Sequence, residues 1–162
     1  MSRSDLFGIT ALLIPIAAVI AVPQAQLGAL AVARKSPGGA TSALVAPPAP
    51  EAGRAPSFID VHYANESEEY ATTLGIGDGT ELELTGFVSE SRSEEFVLTR
   101  FYVSCCAADA LPYSVTVVAP DGSEYADNTW LRVAGVLEGE GEFKLRAESV
   151  REVQEPGNPY LY

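Results

Sequence analysis

The stretch FYVSCCAADALPY, Phe101 to Tyr113, carries both cysteines of the chain, Cys105 and Cys106, side by side. An acid, Asp109, follows three residues after Cys106, and Pro112 comes three residues later. Thiolates are soft ligands and nucleophiles. With a carboxylate at turn spacing they suit a soft or borderline divalent cation, zinc first. A bond between the two sulfurs is disfavoured, because disulfide Cα atoms stand about 4.4–6.8 Å apart and neighbours across a trans peptide about 3.8 Å. The pair therefore reads as free thiols, a metal site or an intermolecular bridge. In a regular strand adjacent side chains point to opposite faces, so both thiols reach one site only if the strand ends there. AADALP offers such an end, and one helical turn would put Cys106 and Asp109 on one face at i, i+3 spacing.

A structural zinc site takes four protein groups. The local motif offers three at most, and the only histidine, His62 in IDVH, is the candidate for the fourth, with Asp60 as another. Plainer readings stand beside this one. Free cysteine often behaves as a small buried hydrophobe, and Asp109 can simply cap a turn. Thiol redox or nucleophilic chemistry at Cys105 or Cys106 is the alternative function. It lacks a nearby histidine base and a spaced resolving cysteine. No CxxC, GxGxxG, HExxH or GxSxG occurs, so an enzyme is the less favoured class.

The elements that must position these residues are mostly strands. From Ser57 onward the runs TELELTGFV, EFVLTRFYVSC, YSVTVVAP, TWLRVAGVL and FKLRAESVREV are each bounded by Gly, Pro, Asp, Asn or Ser clusters, as strands are. SFIDVHY reads as a short strand, and NESEEYATTLG as one short helix with acids in its first turn and a terminal Gly. The expected fold is mainly β: a small Greek-key barrel of the oligonucleotide/oligosaccharide-binding (OB) type with one short helix. Leu82, Leu84, Gly86 and Val88 alternate with Glu81, Glu83 and Thr85, and Leu131 and Val133 with Trp130 and Arg132. In EFVLTRFYV both parities are apolar, so that strand should be covered on both sides or bulged near Thr99 and Arg100. Gly86 and Gly135, inside apolar strands, suit the bends and bulges that closure requires.

Charge is uneven along the chain. Of 22 acids and 10 Lys and Arg, all but Asp5 and all but Arg3, Arg34 and Lys35 lie after residue 50. Such an acidic domain repels phosphate backbones and attracts cations, so no nucleic-acid partner is expected. It is also what a soluble, acid-rich surface looks like. Runs such as EGEGE and ESEE read as solvated loops.

Ahead of the domain, no charge occurs from Leu6 to Ala33. About 20 apolar residues span a bilayer, so Leu6 to about Val22 is expected to form a single membrane helix, kinked at Pro15. A cleaved signal peptide is the rival, with Arg3 as its basic start and AVA, Ala31–Ala33, as its cleavage site. Its apolar core is long for that role. The expected organisation is residues 1–35 as membrane helix or signal peptide, 36–56 as a linker rich in Pro, Ala and Gly, and 57–162 as the barrel.

RFYVSCCAADALPYSVTVV, DNTWLRVAGVL and the ending PGNPYLY together resemble the YcgQ-like family of bacterial membrane proteins, described as permease subunits. SCCAADA, Ser104–Ala110, is that family's most recognisable motif. The resemblance covers roughly Phe58–Tyr162 and the preceding apolar segment. Family members have two membrane helices before the soluble domain, and LLIPIAAVIAVPQAQLG is similar to the second of them. The resemblance implies a partner, a permease of several membrane spans. The one apolar segment implies a single-pass location in the cell membrane, with the domain expected outside the cytoplasm. The flanking charges, Arg3 before the helix and Arg34 and Lys35 after it, do not decide orientation. The function expected on these grounds is an anchored accessory subunit that binds a metal cation, zinc first, through Cys105, Cys106, Asp109 and His62.

Overall fold

Alternation of apolar and polar side chains becomes strand nearly where the sequence places it. The computed structural model describes residues 28–34 and 54–161 apart from 105–108, 121 and 140. The expected membrane helix, most of the linker, and Cys105 and Cys106 lie outside the described residues. Among the described residues no helix is long and apolar enough to cross a membrane. The elements are α1 (Ala29–Arg34), α2 (Phe58–Glu66), α3 (Glu68–Leu74), β1 (Glu81–Ser91), β2 (Glu95–Tyr102), β3 (Leu111–Val118), β4 (Trp130–Glu138), β5 (Lys144–Glu152) and β6 (Tyr160–Leu161).

Five strands pair in a closed ring. β1 is antiparallel to β2 and β4, β2 to β3, and β4 to β5, while β3 and β5 are joined by a short parallel rung, Val117 with Leu145 and Val118 with Arg146. The domain is thus mainly β and barrel-like. A ring has no long free edge to template aggregation. β6 adds a parallel rung to β2, pairing Tyr160 with Phe101 and Leu161 with Tyr102.

The expected alternation holds. Leu82, Leu84, Gly86 and Val88 are buried while Glu81 and Glu83 are exposed, and Leu131 and Val133 are buried while Arg132 is exposed. The inward faces of the five strands supply a common core that includes Leu84, Phe96, Leu98, Val117, Leu131 and Leu145. Each such side chain contributes about 1.5–3 kcal/mol by leaving water. Strand β2 is covered on both sides: Phe96 and Leu98 on one parity and Thr99 and Phe101 on the other are all essentially inaccessible. The alternative, a bulge near Thr99 and Arg100, is absent. β2 pairs regularly with β3 through Thr99 and Arg100, and the register slips on the partner strand, between Val88 and Glu90. A second shift falls at Ala134/Gly135, the position expected for Gly135.

One segment changes class. SFIDVHY is not a strand but the start of helix α2, and Ser67 separates α2 from α3 where one helix was expected. The reason is local and polar. The carboxylate of Asp60 accepts hydrogen bonds from the Ser57 backbone N–H (2.7 Å) and hydroxyl (2.6 Å). That satisfies a group at the helix start which an extended chain would present elsewhere. The helix then lays Phe58 on the barrel at Gly86. A Cβ at residue 86 would stand 2.7 Å from the carbonyl oxygen of Thr99 and 2.9 Å from the Phe58 ring, so the plug fits only over glycine.

Candidate functional site

The last rung between β2 and β3 joins Tyr102 to Leu111. The connection that bears Cys105 and Cys106 therefore leaves and re-enters the barrel at this end. The positions of the two sulfurs lie outside the described residues, and so does their spacing to Asp109. Asp109 itself is half-buried and engaged with a partner. Among the described residues, no three His, Cys, Asp or Glu side chains gather as a metal group.

His62 belongs to the same end. It projects from α2 onto β3, its ring edge-on to Tyr113 at 5.1 Å and to Tyr63 at 5.3 Å. Tyr113 in turn meets Tyr102 edge-on at 6.5 Å, and Tyr63 meets Tyr70 at 5.6 Å. The rings thus run from α3 across α2 to the two strands that flank the cysteine-bearing connection. Burial, then the hydrogen bond with Tyr63, push the Tyr113 phenol well above its usual range. It stays protonated and neutral. His62 Nε2 is 3.4 Å from Glu66 Oε1, and its side chain is 31% exposed. A carboxylate on one imidazole nitrogen is how metal-binding histidines are commonly oriented. The donor type and its access from solvent are compatible with a cation.

Asp60 is not available to one. Besides Ser57, its carboxylate accepts from Arg54 Nη2 at 2.8 Å and from the Tyr70 hydroxyl at 3.1 Å. Burial pushes the Asp60 carboxyl up, but the hydrogen bonds from Arg54 and Ser57 and the Arg54 charge outweigh it, leaving the group below its ordinary value. Burial and the Asp60 charge raise the Tyr70 phenol to about 12. Four donors on one carboxylate are a structural lock. The Ser57-x-x-Asp60 spacing is the signal that could have identified it.

Sequence reasoning also passed over Arg100. Its guanidinium donates to the carbonyl oxygens of Asn158 (2.7 Å), Pro159 (3.2 Å) and Thr85 (3.4 Å). This fork pins the C-terminal strand in the gap between β1 and β2. Desolvation lowers the Arg100 pKa from its usual value, although so strong a base keeps its charge. Arg54, Arg92, Arg132, Lys144 and Arg146 all pair with acids, Arg146 with Glu138. Most basic groups of the barrel are thereby committed to its own carboxylates or carbonyls.

The family model for the DUF1980 C-terminal domain matches residues 57–162. No curated protein matches the chain. Among solved structures, the chain is similar to the asparaginyl-tRNA synthetase from Pyrococcus horikoshii at 15% identity and a TM-score of 0.34, over 51% of this chain and 23% of that one. It is also similar to the OBody AM1L10 bound to hen egg-white lysozyme, at 15% identity and a TM-score of 0.31, over 47% of this chain and 81% of that one.

Proposed function

From the premise that the chain belongs to the family of the DUF1980 C-terminal domain, we propose that it is a membrane-anchored accessory subunit of a permease. Its barrel offers a transported divalent cation a binding site at the end where the SCCAADA connection leaves β2 and enters β3. One observation carries the reading. The only histidine of the chain, far from the cysteines in sequence, lies against Tyr113 of β3, two residues past the return of the connection that holds both thiols. Cys105 and Cys106 are the soft donors, Asp109 the hard one, and His62 the borderline fourth, a set that suits zinc. Zinc bound there would be charge-neutralised by the two thiolates. The Tyr113 phenol beside His62, raised above its usual range by burial, stays protonated and adds no charge to the site.

We read the ring of strands, with its parallel β3–β5 closure, as an OB-type barrel. The commitment of its basic side chains to acids argues against the basic groove that single-stranded nucleic acid requires. Leu6–Val22 supplies the anchor, and a multi-spanning permease the partner.

The test is metal analysis of the full chain purified in detergent, beside Cys105→Ser and Cys106→Ser. Near-stoichiometric zinc in the parent and its loss in both variants is the expected result. Affinity should also fall on acidification, since thiols must lose protons to bind. A parent chain that holds no more zinc than either variant would overturn the reading. A Cys106 thiolate that reacts well below pH 8.5 without metal would favour the redox alternative instead.

A further inference from the structure

The outer surface of a small barrel is usually polar, yet three strands here turn aromatics outward on one side. Phe87 of β1 and Phe101 of β2 stack with centroids 5.8 Å apart, and Trp130 of β4 lies 5.7 Å from Phe87. Tyr160 of β6 and Val103 complete the patch. Bare, these rings would form the kind of apolar surface that draws partners or aggregates. They are not bare: Phe87 and Phe101 are only 3% and 1% exposed. What lies over them is α1, whose Ala31 and Val32 pack on the cluster.

The seat is specific as well as apolar. Asn128 is the only non-glycine residue with positive φ among the described residues (φ 66°), a conformation that side chains adopt reluctantly. Its backbone N–H donates to Val88 O (2.8 Å), which ties the turn to β1. Its side-chain Oδ1 accepts from the Ala29 N–H at 2.7 Å across 99 residues of sequence. It thus caps α1 from outside the helix. A Cβ on residue 28 would collide with that same Oδ1, so a larger residue there would displace the cap. Ala29 is buried beneath, while Leu30 points away and is 78% exposed.

We infer that Gly28–Arg34 is a strap built into the domain, and that the aromatic face of the barrel is its receptor. Two consequences follow. The AVA run is helical, with Ala31 and Val32 packed on the cluster, not the extended segment a signal peptidase needs, and cutting after Ala33 would uncover the aromatic face. On either side of residues 35–53, α1 and α2 both rest on the barrel. Where the anchor reading also holds, on which this last step rests, the strap keeps the barrel within a few residues of the bilayer.

Trp130 is the only tryptophan and reports on the strap directly. In the full detergent-solubilised chain, Ala31→Asp should shift Trp130 emission to longer wavelength and raise its quenching by acrylamide. Leu30→Asp, one residue away but facing solvent, should leave both unchanged. Asn128→Gly tolerates the positive φ and removes only the cap; it should shift emission in the same direction by less, and it decides the matter if Ala31→Asp does not fold. Intact mass of the chain recovered from cells should include residues 28–34. Equal spectra for Ala31→Asp and Leu30→Asp, no shift in Asn128→Gly, or a mature chain beginning at Arg34 would each overturn the strap. Zinc binding enters none of these readouts. A chain that keeps the strap but fails to sediment with membranes would reject the anchor and leave the strap standing.

Discussion

Asp60 and His62 lie two residues apart on α2, and the helix turns them into opposite environments. Asp60 faces inward, 1% exposed, its two oxygens shared among Ser57, Arg54 and Tyr70. His62 faces the rim, in edge contact with two tyrosines and a long contact to an exposed glutamate. Both residues are metal-ligand types and both come from the same IDVH run. What separates them is whether the protein itself supplies the partners. A buried carboxylate must be satisfied internally or lose its charge, and Asp60 has been. A half-exposed imidazole carries no such requirement and can exchange its contacts for a ligand.

Removing the inner group breaks this comparison hardest. Asp60→Ala strands the Ser57 and Tyr70 donors and leaves Arg54 without its acid. The cost should be about 3 kcal/mol, the low end for a broken buried pair because Arg54 is partly in water. Thermal or urea melts of the full chain check it. A loss under 1 kcal/mol would mean that the network does not hold α2 in place.

Acid should reproduce part of the same loss. The folded Asp60 carboxyl lies below its ordinary value of 3.8, so the unfolded chain takes up the proton first. The stabilisation is complete well above pH 3.8 and is lost as pH falls through the folded value. Urea midpoints should decline more steeply below pH 4 in the parent than in Asp60→Asn, which has no proton to bind there. Parallel curves would assign acid sensitivity to other carboxylates.

The rim residue should behave the other way round. His62→Ala should cost about 0.5–1.5 kcal/mol of stability, the worth of its edge contacts, but weaken zinc binding roughly tenfold or more if it is a ligand. Equal zinc affinity in parent and variant would return His62 to a packing role. Smallest of all is Glu66→Ala. An exposed contact of this kind contributes about 0.2–1 kcal/mol, so the melt should barely move. A tenfold drop in zinc affinity with an unchanged melt would identify Glu66 as the group that orients the imidazole.

Much of the barrel was legible in its residues. The alternation of β1 and β4, the double coverage of β2 and the bulge at Gly135 follow from side-chain period and from glycine placement, which act between near neighbours. SFIDVHY was misread because its β-branched and aromatic residues favour a strand, while the competing signal is one serine and one aspartate three positions apart. The candidate site was legible only as a set of residue types. That His62 lies against Tyr113 of β3 depends on α2 being a helix and on its packing against that strand.

The local pattern by itself determined the five long strands, their inward faces and the acidic character of the domain, because period-2 alternation and charge are properties of short segments. Only the tertiary structure decided how the ring closes, where Arg100 holds the C-terminal strand, and that Gly28–Arg34 rests on Phe87, Phe101 and Trp130. Those contacts join residues separated by tens of positions, up to the 99 between Ala29 and Asn128. Their partners exist as surfaces only after the strands have paired, so no window of sequence contains the energy that selects them.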